Sequence, residues 1–122
     1  MQNAHDRARE LHDLIEDERK RRNTTTAVGN TAEQISIVGT NEEYMRFDIR
    51  NGLLPHEIIA KSRAGNHAEE NVMDEAGERN LTLLEIGASR PICLDCETKI
   101  AARGIETQTE FSGKVSKNRR GL

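Results

Sequence analysis

The forty residues from Gly65 to Gly104 read GNHAEENVMDEAGERNLTLLEIGASRPICLDCETKIAARG. Their punctuation predicts a helix, a strand and a second helix. The first helix runs from His67 to about Arg79, with Asn66 as its N-cap. Leu81 to Ile86 is an apolar strand that ends at Gly87. Pro91 precedes the second helix, Cys93 to Arg103, which Gly104 stops from the C′ position. Each helix opens on chemistry-bearing residues, His67-Ala68-Glu69 in one and Cys93-Leu94-Asp95-Cys96 in the other. A β-α-β-α unit brings both helix N-termini to one sheet edge, which is where ligands bind in open α/β sheets.

Working outward, Asn3 to Arg22 is expected to be one amphipathic helix, because Ala4, Ala8, Leu11 and Ile15 fall on a single stripe. Its last residues, Arg19-Lys20-Arg21-Arg22, are either a solvated helix end that complements the dipole or a phosphate contact. Thr24 to Val28 and Gln34 to Val38, separated at Gly29-Asn30, suggest an antiparallel hairpin that Gly39-Thr40-Asn41 closes. Asn41 to Arg50 carries no clear pattern. Leu54-Pro55 followed by His56 to Ala60 predicts a short helix with proline in its first turn. Ile105 to Thr109 is a further short strand, and Phe111 to Leu122 is a basic tail. This order predicts one domain over residues 1–122, a three-layer α/β/α sandwich around a small mixed sheet. Strands separated by a helix should pair in parallel through a right-handed crossover.

Composition narrows the function. The chain has 122 residues, of which 34% are hydrophobic and 2% aromatic, so its core is lean and a bound metal could help to hold it. A net charge of −3 argues against tight non-specific duplex binding but leaves room for a local basic groove. No apolar run approaches the length of a membrane span, and Met1 to Arg22 lacks the apolar stretch of a secretory signal. The two cysteines form one CxxC, which points to a metal site or a redox pair rather than a disulfide framework.

Zinc takes thiolate and neutral imidazole ligands. A helix N-terminus favours the thiolate form of cysteine, and Cys93 and Cys96 share one face of a turn. His67 would reach across from the neighbouring helix. Three protein ligands leave a fourth position open for water, the mark of a catalytic site, although His5, His12 or His56 could close it. Glu69 stands two residues after His67, a spacing that in a helix interior separates side chains by about 200°. Both can serve one pocket only if that pocket sits above the helix end. Glu69 could then ferry protons while zinc activates water. Otherwise Glu69 is a surface glutamate beside Glu70.

HxE followed by PxCxxC across an intervening strand resembles the zinc-dependent cytidine deaminase-like superfamily, whose glutamate does the acid/base work. Ile92, between Pro91 and Cys93, is an insertion relative to the common form. Together with Ser89-Arg90 and His67-Ala68-Glu69-Glu70-Asn71, it is similar to deaminase domains at the C-termini of bacterial polymorphic toxins. The resemblance covers about Thr24 to Ile105 and implies a five-stranded sheet, of which four strands are legible. It further implies Zn²⁺ on His67, Cys93 and Cys96, with Glu69 catalytic. Asn41 would contact the substrate sugar, unless it is an ordinary turn asparagine. The Ala68 amide and backbone near Ser89 and Arg90 would hold the base.

The resemblance also implies the reaction, a hydrolytic conversion of cytosine to uracil in single-stranded nucleic acid, with DNA favoured over RNA. The enzyme would be a monomeric effector without a membrane anchor, exported and acting in a target-cell cytoplasm. It would be the C-terminal piece of a longer polypeptide and would meet a cognate immunity protein. Lys114, Lys117, Arg119 and Arg120 could supply charge to a single strand, and Tyr44 and Phe47 could stack on bases or be core. Three alternatives stay open: a free-nucleoside deaminase, an RNA adenosine deaminase, and a non-catalytic zinc module that binds a partner. A redox CxxC would leave the HxE unexplained.

Overall fold

The computed structural model describes residues 2–116. Lys117, Arg119 and Arg120 therefore lie outside the described residues. The hairpin forms as the sequence suggests: β1 (Thr26–Thr31) and β2 (Ser36–Thr40) pair antiparallel with Val28 opposite Val38. Both strands are buried along their whole length, so each must feed two cores. Alternation does this, since successive side chains leave opposite faces of a strand. Ala27 and Ile37 join one cluster, whereas Val28 and Val38 join the other.

The sheet has the order β3-β2-β1-β4, with β3 (Glu57–Ile59) parallel to β2 and β4 (Leu83–Ala88) antiparallel to β1. Helices α1 (Ala4–His12) and α3 (Phe47–Arg50) cover the face built on Val28 and Val38. Helices α4 (Ala68–Glu78) and α5 (Leu94–Ala102) cover the other, so the architecture is a three-layer α/β/α sandwich around a mixed sheet. A further short helix, α2 (Glu18–Asn23), buries none of its residues.

The core has no large aromatic residue; its bulkiest fully buried side chains are Leu11 and six isoleucines. Close approach offsets the small side chains, because the sheet meets its helices through glycines. A methyl group on Gly29 would lie 2.6 Å from Val72 Cγ1, and one on Gly39 would lie 3.0 Å from Val72 Cγ2 and from the Ala68 carbonyl oxygen. Val72 of α4 thus sits over two bare strand positions, and the first turn of α4 lies almost on β2. On the opposite face a methyl on Gly87 would lie 2.2 Å from the His5 amide nitrogen and 2.4 Å from the Ala4 carbonyl carbon. Backbone cannot yield as a side-chain tip can. We therefore expect Gly87→Ala to destabilise the fold by about 2–3 kcal/mol through overpacking, read as a lower urea midpoint. An unchanged midpoint would show that α1 is free to lift off β4.

Several local expectations are corrected. Asn3 to Arg22 is two helices rather than one: α1 ends at His12 with Asp13 as its C-cap, and Asp17 starts α2 by accepting a hydrogen bond from the Lys20 amide at 3.0 Å. Ile15 still reaches the core, but from the connecting turn. His56 to Ala60 is not a helix but carries β3, because Ile58 and Ile59 pair with Ile37 and Val38 on the edge of β2. The sequence did not show this strand, and with it the sheet among the described residues has four strands, not the five that the resemblance implies. Ile105 to Thr109 contributes only a single parallel bridge, Glu106 to Glu85. The strand after α4 pairs along its length antiparallel to β1 and in parallel only through that bridge, whereas β2 and β3, separated by α3, do pair in parallel.

Candidate metal centre

His67 is itself the N-cap of α4, and the φ/ψ of −76°/164° places it outside the helix. Asn66, expected in that role, instead donates to the Asn71 and Asp74 side chains. Cys93 caps α5 with nearly the same backbone, −71°/165°. The two motifs are therefore built alike, each with its first donor at an extended N-cap. This removes the difficulty of the His67–Glu69 spacing. Only Glu69 is helical, so the 200° separation of a helix interior does not apply, and both residues line the same cavity.

His67 Nδ1 lies 3.2 Å from Cys93 Sγ and 3.4 Å from Cys96 Sγ. Donors 2.0–2.3 Å from a shared tetrahedral centre would stand about 3.6 Å apart, so the spacing is close to what one ion requires. The three donors lie within 4.8 Å of one another, and among the described residues no fourth His, Cys, Asp or Glu joins the cluster. His5 is engaged with Thr109 at 2.7 Å, and His12 with Thr26 and the Arg21 carbonyl. His67, Cys93 and Cys96 are thus close enough to hold a metal ion, and the donor set is compatible with zinc. Burial, then the charge of nearby Glu69, pushes the Cys96 thiol well above its ordinary value. A bound cation would reverse that preference.

Glu69 is 3% exposed yet lines the cavity beside the cluster without being a member of it. The cavity measures about 750 Å³, within the range of small-molecule sites. Asn41, Ala68 and Arg90 line it as well. Asn41 Oδ1 accepts the Thr25 amide at 2.8 Å, which fixes its orientation at the end of β2. Arg90 donates to the carbonyls of Arg22 and Thr24. Ser89 is not part of the wall: its hydroxyl accepts the Thr26 amide at 3.0 Å and its own amide donates to the Thr26 carbonyl, extending the β1–β4 pairing. Lys114 is on the wall, whereas Tyr44 and Phe47, at 78% and 76% exposed, are neither core nor lining.

Sequence reasoning missed the groups that hold the motifs in place. Glu70 accepts the His67 amide at 2.8 Å and pairs with Lys99, so one buried carboxylate ties the start of α4 to α5. The N-cap-to-N3 spacing of a capping box was the available signal. Asn71, fully buried, donates to the Thr40 carbonyl at 3.0 Å and locks α4 to the end of β2. No local pattern announces that contact. Ile92 explains the residue between proline and cysteine. It is fully buried, its amide donates to the Glu110 carbonyl, and its carbonyl accepts the Ser112 amide. The extra residue gives the cysteine loop a strand-like edge on which the chain from Glu110 onward docks. No family model matches this chain, and no curated protein or solved structure matches it either.

Proposed function

We propose that the protein is a zinc-dependent hydrolytic deaminase that converts cytosine to uracil in single-stranded nucleic acid, with DNA favoured over RNA. One observation carries the reading: a three-donor His/Cys/Cys cluster shares a cavity with a buried glutamate that is not one of the donors. A structural zinc site closes its coordination with four protein ligands, and three ligands beside an acid belong to hydrolytic chemistry.

His67, Cys93 and Cys96 would hold the ion, which when bound supplies a water acidic enough to act as a nucleophile near neutral pH. Glu69 takes the proton released as the water oxygen bonds to C4 of cytosine and delivers it to ring nitrogen N3. It then passes the second proton to the exocyclic amine as the C4–N bond breaks, so water and cytosine become uracil and ammonia. Low exposure suits Glu69 to this work, because an acid screened from bulk water has its basicity set by the site. The Asn41 side chain is oriented for a sugar hydroxyl, and the Ala68 backbone lines the site beside the base. The polymorphic-toxin resemblance adds a role as an exported effector met by an immunity protein.

The test is conversion by the zinc-loaded chain on single-stranded DNA, single-stranded RNA, free cytidine and adenosine-containing RNA, with metal content measured on the same sample. Uracil in DNA above the other arms is expected. Conversion of free cytidine alone would replace the polymer substrate with a nucleoside. Inactivity on every substrate at one zinc per chain would leave a non-catalytic metal module.

A further inference from the structure

The basic run of α2 is not absorbed by the reaction, yet it ends at the cavity. Asn23, which closes α2, and Thr25 just after it both line the wall. Among the described residues, Arg7, Arg46, Arg63, Arg79 and Lys99 form ion pairs, whereas Arg19, Lys20, Arg22, Arg90 and Lys114 form none. All five are exposed. Arg90 donates to the Arg22 carbonyl at 2.7 Å and to the Thr24 carbonyl at 2.8 Å, which draws a guanidinium from the cavity rim onto the cationic end of α2. Lys114 stands on the same wall, where Glu69 is the only acid among the described residues.

Gathering unpaired like charges is unfavourable unless an anion occupies the space between them. The helix dipole rewards a cation or two in the last turn of α2, but it does not account for Arg90 or Lys114, which come from other parts of the chain. The neutral form of His12 beneath this cluster is favoured, by burial first and by the charge of Arg90 as well. Asp17 and Glu18 open α2 beside Arg19 and Lys20, and Glu42 and Glu43 line the neighbouring hollow beyond Asn41.

We infer that Arg19, Lys20 and Arg22 of α2, continued by Arg90 and Lys114, form a track for the phosphodiester backbone of a single strand whose target base enters the cavity. The inference rests on the deaminase reading for what happens to the base, but the track itself is tested by binding alone. Single-strand sites of this kind align cations along the backbone, and each phosphate contact contributes about 0.7 to the slope of log affinity against log salt.

The experiment titrates a short labelled oligonucleotide, as DNA and as RNA, into the full chain over a range of salt. It compares the native chain with the triple variant Arg19→Ala/Lys20→Ala/Arg22→Ala. Since α2 buries no residue, that variant should keep its fold, and circular dichroism checks it. The expected result is a slope shallower by about 2 for three lost contacts. A control, Arg9→Ala/Arg50→Ala/Arg103→Ala, removes the same charge from exposed positions on α1, α3 and the end of α5. Equal losses in both variants would overturn the track, as would salt-independent binding or no binding to either strand. Conversion without the α2 effect would leave the deaminase reading standing alone. The α2 effect without conversion would keep the track and remove the reaction.

Discussion

Glu69→Gln is expected to bind zinc at one ion per chain and to lose about 10²- to 10⁴-fold in turnover on a cytosine-containing single strand, the range that a positioned acid/base group contributes. Glutamine keeps the shape of a side chain that is 3% exposed, so packing of the first turn of α4 is preserved. What disappears is the ability to take a proton and return it. Because Glu69 lies outside the three-donor cluster, the metal should stay. Turnover and metal content measured together discriminate the roles. A rate near that of the native chain would remove Glu69 from the mechanism, and loss of the ion would make it a ligand.

The second large effect is structural. Arg7 on α1 grips Glu57 on β3 with two hydrogen bonds, Nε to Oε2 at 2.8 Å and Nη2 to Oε1 at 2.7 Å, and Nη2 also donates to the Gly52 carbonyl. Both residues are buried. Arg7→Met would leave a buried carboxylate without its cation, at a cost of about 3–5 kcal/mol. Adding Glu57→Leu should return much of that stability, because an ion pair replaced by apolar side chains is often neutral. Urea unfolding of the single and double variants measures both, and equal stabilities would mean that the pair is not coupled.

The same pair gives the stability a pH dependence of known direction. Burial by itself would raise the Glu57 carboxyl, but the hydrogen bonds from Arg7 and the Leu54 amide, with the Arg7 charge, hold it below its ordinary value. A depressed folded value means that this stabilisation is complete above the unfolded glutamate value of about 4.3. It is lost as pH falls through that value toward the lower folded one. In Arg7→Met burial would be opposed by the Leu54 bond and the charge of His56 alone. Where burial prevails, the folded carboxyl lies above the unfolded value, so that variant should gain stability as pH falls toward about 4.3, a reversed slope in a higher window.

The residues of the candidate site were legible because their spacing is local. His67, Glu69, Cys93 and Cys96 lie within thirty residues, and both helices carry their own start signals. The hairpin was legible because alternation and turn residues are local too. What escaped depends on distant partners. His56 to Ala60 has the composition of a short helix after proline, and only the open edge of β2 and the buried Arg7 make it a strand. The stripe Ala4, Ala8, Leu11, Ile15 fits one helix or a helix and a turn equally well, and the Asp17 cap decides. Asn66 is the better N-cap by residue type, but its side chain is occupied by Asn71 and Asp74. Arg19 to Arg22 could be read as a run of charge, but that α2 ends at the cavity could not.

The docking of the chain on Ile92 bears on local opening. Three backbone hydrogen bonds hold it: Ile92 to Glu110, Ser112 to Ile92 and Leu94 to Lys114, at 2.8–2.9 Å. Little apolar surface reinforces them, since Phe111 remains 44% exposed. Segments with few buried contacts detach at free energies far below that of global unfolding. The segment from Glu110 to Lys114 is thus a low-stability unit, and its release would uncover the cavity wall at Ser112 and Lys114 while Ile92 keeps the cysteine loop seated on the core.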